Sequence, residues 1–154
     1  MDWSPFASTA LGAVIGVTST LIADRVRWRR DHRDRHRDAK RLLYAEYLAA
    51  LSRTWNEIRQ AARNPTLPAD ERGRVAVEAF KSGGSYELRY QVSITASDGV
   101  EQSSVTAFRA LRDLRDLVES GVTYTEPEYQ EARRHWDRLF GELRLRIRAD
   151  LDGV

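Results

Sequence analysis

Tyr86-Glu-Leu-Arg-Tyr-Gln-Val-Ser-Ile-Thr95 decides the fold class. Read with a period of two, Tyr86, Leu88, Tyr90, Val92 and Ile94 alternate with polar residues, as in a half-buried strand. Read as a helix, Leu88/Val92 and Tyr90/Ile94 are i,i+4 neighbours. A strand needs a partner, and the only other strand-like run is the very short Val122 to Thr125. A two-stranded ribbon is marginal in water. Helix is therefore the expectation here, and with it an all-α chain.

Working outward, Gly83-Gly84 is a breaker pair. The spacing predicts a helix over 69–96, kinked at those glycines, with Val75, Ala79 and Phe80 in its first half. Ser97 or Asp98 suits the N-cap of the next helix, 98–120, whose stripe is Val105, Phe108, Leu111, Leu114 and Val118. Gly121 stops it. Thr125-Glu-Pro-Glu128 has the form of a capping box with Pro in the first turn. It opens a last helix, 126–151, carrying Tyr129, Ala132, Trp136, Leu139, Phe140, Leu143, Ile147 and Leu151. On the N-terminal side, Leu43, Tyr47, Leu51, Trp55, Ile58 and Ala62 form the stripe of a helix over 42–63, ended by Asn64-Pro65. Four helices with short connections and one stripe each imply an antiparallel up-down four-helix bundle over 42–154.

Farther out, residues 3–23 contain no charge. Crossing a bilayer takes about 20 apolar residues. Residues 1–23 are read as a transmembrane span, softened by Ser8, Thr9, Thr18, Ser19 and Thr20, with Trp3 and Trp28 as interface anchors. The run Asp24 to Arg41 holds nine Lys/Arg and four Asp. Its i,i+3 and i,i+4 ion pairs suit a charged stalk, 24–41, which would continue the span as one long helix into the bundle. The arginine excess sets the expected orientation: N-terminus outside, C-terminal domain in the cytoplasm, plasma membrane single-pass. A cleaved signal peptide lacks its positive n-region here, and a buried helix of a soluble protein is the other rival. Arg25, Arg27, Arg29, Arg30 and Arg33 are candidates for anionic lipid contact. Ser8, Gly12, Gly16 and Thr20 form a small-residue stripe suited to helix–helix association in the membrane.

The chain has no cysteine, which excludes thiol catalysis, disulfides and cysteine-ligated zinc. No P-loop, dinucleotide fingerprint or serine elbow is present. His32 and His36 share a helical face, but their charged neighbours favour a solvated face over a metal site. Tyr44, Tyr47 and Tyr90 are candidates to line a pocket. No catalytic residue, cofactor or metal is assigned.

The quoted motifs together resemble a loose group of actinobacterial membrane proteins of unknown function. The shared features are the uncharged span, the Arg-rich stop, the Leu42-Leu-Tyr-Ala-Glu-Tyr-Leu-Ala-Ala-Leu51 helix, the Tyr86 to Ser97 middle and the Arg-rich end, Leu143 to Leu151. The resemblance implies helix over strand for Tyr86 to Thr95 and brings no catalytic residues. The function expected is a non-enzymatic membrane-anchored scaffold that binds a protein partner or itself, with the lipid bilayer as a further partner. A ligand-binding or enzymatic bundle is one alternative. A membrane-tethered nucleic-acid binder is another, disfavoured because aspartates interrupt the basic run.

Overall fold

The computed structural model describes residues 37–153, and among these the chain is entirely α-helical. Helix α1 covers residues 37–63. It is followed by α2 (Ala69–Ser82), α3 (Ser85–Thr95), α4 (Asp98–Glu119) and α5 (Pro127–Asp152). The strand reading of residues 86–95 is thus excluded. The helix expected over 69–96 is two helices, and the break has a local cause. Gly83 closes α2 by donating its N–H to Ala79 O, 3.1 Å. Gly84 then takes φ +69°, the left-handed region in which a residue without Cβ is unstrained. The chain restarts as α3 when Leu88 N–H bonds Gly84 O, 3.2 Å.

The residues from Lys40 onward belong to one compact unit. Contacts along α1 show that it runs antiparallel to α5. Tyr44 reaches Asp150 near the end of α5. Trp55 packs on Tyr129 and Trp136. The carbonyl of Ala62 accepts from Tyr124 N–H, just before α5 begins. Helix α4 runs the same way as α1, with Ser104 near its start against Tyr47. Helix α2 runs back along α4, Gly73 beside Glu119 and Phe80 beside Phe108. A Cβ on Gly73 would lie 3.1 Å from Glu119 Cα, so the α2–α4 crossing is set by the smallest side chain.

All five helices supply one core, including Tyr47, Leu51, Ile58, Val92, Leu111, Leu114, Trp136 and Leu143, each with almost no exposure. Burial of each such side chain contributes about 1.5–3 kcal/mol relative to exposure, which makes the stripes the main source of stability. The stripes rotate slightly from the sequence expectation. On α1, Tyr44 and Thr54 are buried, while Leu43 and Trp55 are half-buried. Val105 on α4 is half-buried, and Val100, Ser104 and Ala107 carry the buried face instead.

Two expected caps are built differently. At α5 the N-cap is Glu126, not Thr125, and Pro127 holds the first helical position. The Glu126 carboxylate turns back and accepts from Thr123 N–H and Thr123 Oγ1, 2.7 and 2.8 Å. Those bonds, the backbone one foremost, hold its carboxyl below the usual glutamate range. At α4 the N-cap is Ser97, but its side chain makes no capping bond. Arg72, largely buried, ties the two loops at the other end: Nη1 donates to Leu67 O (2.8 Å) and Nη2 to Gly121 O (3.1 Å).

The expected span, 1–23, and the stalk up to residue 36 lie outside the described residues. Among the described residues, no helix is long and apolar enough to cross a membrane.

Candidate interaction surface

Helix α3 carries two stripes, and its fold explains one of them. Ser85, Leu88, Val92 and Ala96 lie three, four and four residues apart and turn toward the core. Tyr86, Tyr90 and Ile94 lie four apart on a different face and stay 47%, 49% and 82% exposed. Apolar contacts with the core therefore seat α3, while its largest side chains remain in solvent. The alternation in the sequence arises from this doubling. A helix that is apolar on two faces places apolar residues at even positions over so short a length.

The exposed face is ordered by its own contacts. Tyr86 and Tyr90 meet edge to face, centroids 5.1 Å apart, and their hydroxyls are 3.0 Å apart. That hydrogen bond raises the Tyr86 phenol above its ordinary value. The Arg89 guanidinium lies over the Tyr90 ring at 4.8 Å, the Phe108 ring at 5.1 Å and the Tyr86 ring at 5.8 Å. Aromatic–aromatic and cation–π contacts are each worth about 0.5–1.5 kcal/mol in favourable cases, enough to fix rotamers before any partner arrives. A preordered aromatic patch loses little side-chain entropy on binding.

A second polar cluster fastens three helix ends. Asp150 on α5 accepts from Lys40 Nζ (2.6 Å) and Tyr44 OH (2.5 Å) of α1, and Ser97 at the head of α4 lies close by. Burial alone would raise the Asp150 carboxyl, but Lys40, Tyr44 and Ser97 outweigh it and hold the group below its usual value. Burial and the neighbouring carboxylate push the Tyr44 phenol far up, so it stays a donor. Deeper in, Tyr47 OH and Ser104 Oγ are 2.9 Å apart, and burial raises the Tyr47 phenol to about 12.

Tyr44, Tyr47 and Tyr90 therefore do not share a pocket: the first two are buried in separate hydrogen bonds, and the third is on the surface. Ser8, Gly12, Gly16 and Thr20, the arginines at 25, 27, 29, 30 and 33, Trp3, Trp28, His32 and His36 lie outside the described residues. His135, at the edge of the α5 stripe, takes a hydrogen bond on Nδ1 from Arg138, 2.7 Å. Among the described residues no group of three His, Asp or Glu side chains is placed to hold a metal. Two shallow grooves are lined by described residues, one along α2 by Asp70, Arg74, Glu78 and Glu119, the other between α4 and α5 by Leu117, Glu131 and His135. Both are open surface features of mixed charge. The α3 patch is the feature that residue-by-residue reading missed, because half of a strand-like alternation and half of a helical stripe are the same residues.

No family model, no curated protein and no solved structure matches this chain.

Proposed function

We propose that the chain is a non-enzymatic interaction module, anchored at the cytoplasmic face of the plasma membrane, that docks an apolar helix of a partner protein on α3. The observation that carries this is the Tyr86-Tyr90-Ile94 face, which stays largely in solvent although the Tyr86 ring also packs on Phe108 of α4, centroids 6.0 Å apart. Tyrosine suits this role, since it brings large apolar area at low rotamer cost and a hydroxyl for the rim. These three side chains fall short of the roughly 800 Å² per partner in a standard interface. The partner helix would therefore also cover the flanking Glu87 and Gln91, both exposed.

The membrane assignment rests on the uncharged run 3–23 and the arginine-rich stop that follows it. In this reading Ser8, Gly12, Gly16 and Thr20 face another span, Trp3 and Trp28 sit at the interfaces, and Arg25, Arg27, Arg29, Arg30 and Arg33 contact anionic headgroups. Anchoring raises the local concentration of partners on the same surface, so a small contact face suffices.

A photo-crosslinking residue at position 94 tests the docking surface in native membranes. A discrete adduct, lost when Tyr86 and Tyr90 are changed to Ser, is the expected result. Equal labelling from position 134, exposed on α5, would sink the assignment of the face. Protease added to sealed spheroplasts tests the orientation, and digestion of residues 42–154 from outside would reverse it.

A further inference from the structure

The end of the bundle where α1 stops and α5 starts concentrates arginine around one ring. Tyr124 is pinned there from four directions. Its N–H bonds Ala62 O (3.1 Å), its carbonyl accepts from Gln130 Nε2, its hydroxyl accepts from Arg133 Nη1 (3.0 Å), and Arg63 lies over its ring at 4.3 Å. Arg133 is itself 5.9 Å from the same ring centroid. Two guanidiniums therefore converge on one side chain. A third, Arg59, stands one turn before Arg63 on α1, and the charges of Arg59, Arg63 and Arg133 all reach the neighbouring phenol of Tyr129.

Little on the protein answers this charge. Arg133 Nε lies 3.6 Å from Asp137, and Arg59 and Arg63 make no hydrogen bond or ion pair with any described residue. The carbonyl end of α1 and the N–H end of α5 meet here, so their opposite partial charges offset each other, and of the three arginines only Arg133 has an acidic partner among the described residues. A guanidinium lying over a ring keeps its N–H edge free, which is the geometry that accepts a phosphate or carboxylate. One ring inward, Tyr129 is 5.5 Å from Tyr124, fully buried, and its hydroxyl has no hydrogen-bond partner.

We propose that this corner is an oxyanion site in which Arg63 and Arg133, assisted by Arg59, bind a phosphate group on a small molecule or a lipid headgroup. Phosphate fits better than a single carboxylate because its charge and its three peripheral oxygens can engage donors from both helices at once. The site is separate from the α3 surface and does not depend on it.

Isothermal titration of the full chain with inorganic phosphate, at constant ionic strength in chloride, tests the proposal. The expected result is saturable one-site uptake with Kd near or below about 1 mM, since two charge-assisted contacts on an exposed site support little more. Arg63→Gln should weaken it by about tenfold, the effect of removing one such contact, and Arg59→Gln, which removes only a nearby charge, should weaken it by less. Arg59 makes no hydrogen bond or ion pair with any described residue, so Arg59→Gln should leave the melting temperature without phosphate unchanged, whereas Arg63→Gln gives up its contact over the Tyr124 ring and should lower it slightly while unfolding stays cooperative. Arg134→Gln, next to Arg133 but pointing into solvent, should bind like the parent. A parallel arm compares retention on phosphatidylcholine vesicles with and without phosphatidic acid. Uptake of free phosphate identifies a soluble ligand. Retention by phosphatidic acid that Arg63→Gln abolishes identifies a headgroup. No saturable uptake and no Arg63-dependent retention overturns the site, as does weakening by Arg134→Gln equal to that by Arg63→Gln.

Discussion

Asp150→Ala is expected to destabilise the bundle by roughly 2–4 kcal/mol, the sum of one charge-assisted hydrogen bond at about 1.5–3 and a partly screened ion pair at about 0.5–1. The larger part comes from Tyr44. Its hydroxyl is in a residue only 1% exposed, and without Asp150 it loses a 2.5 Å bond to a charged acceptor. The smaller part comes from Lys40, whose side chain is 19% exposed against 10% for Asp150, so the 2.6 Å pair is screened on one side. Tyr44→Phe removes the same bond from the other end, and a double-mutant cycle between positions 44 and 150 should return a coupling of about 1.5 kcal/mol or more. The pH dependence has a definite sign. The folded Asp150 carboxyl is held below its unfolded value. Its contribution is therefore fully present above the unfolded aspartate pKa of about 3.9 and is lost as pH falls through the lower folded value. Urea unfolding followed by tryptophan fluorescence measures all of these quantities. A loss under about 0.5 kcal/mol for Asp150→Ala, the level of an ordinary surface change, would refute the reasoning, as would zero coupling to Tyr44.

Gly84→Ala should cost about 1 kcal/mol by urea unfolding, from φ +69° alone, since the space around it is open. Gly83→Ala should cost more for a different reason, because its Cβ would meet Thr54 Oγ1 and lie 2.8 Å from Ala79 O, and pairing it with Thr54→Ala should recover part of the loss. Arg72→Met should destabilise by about 2–3 kcal/mol through two lost bonds from a charged donor to loop carbonyls, and hydrogen exchange should show both loops opening together. Ile94→Arg, on the exposed face of α3, should leave unfolding within about 0.5 kcal/mol of the parent while abolishing the crosslink from a photo-reactive residue placed instead at the flanking position 91, and a large loss of stability would show instead that α3 uses that face to fold.

Helix existence was legible where one stripe ran long enough. Leu111, Leu114 and Val118 on α4, and Tyr129, Trp136, Leu143 and Ile147 on α5, repeat over several turns, and all are buried. Pro127 at the first position of α5 was likewise readable, because a missing N–H matters least there. The two-helix nature of 69–95 was half legible: Gly83-Gly84 marks a break, but a kink and a full stop share that signature. Capping partners were not legible. Ser97 and Glu126 both sit at N-cap positions, yet the Ser97 side chain makes no capping bond and Glu126 spends its carboxylate on Thr123. A side chain chooses its partner among everything within reach, and what is within reach depends on which helices meet.

The same division holds for the candidate sites. Local pattern determined that α1, α4 and α5 are helices and roughly where their apolar stripes lie, because those depend on neighbours within four or five positions, while for Tyr86 to Thr95 it left strand and helix open until the want of a partner strand decided. Tertiary structure decided that Asp150 gathers Lys40, Tyr44 and Ser97, that Arg63 and Arg133 meet on Tyr124, and that of the two stripes on α3 the core takes Leu88 and Val92 and leaves Tyr86, Tyr90 and Ile94 outside. No local rule separates those two stripes. One buried face is all that a helix at the edge of a core can use, and which face that is depends on where α4 lies.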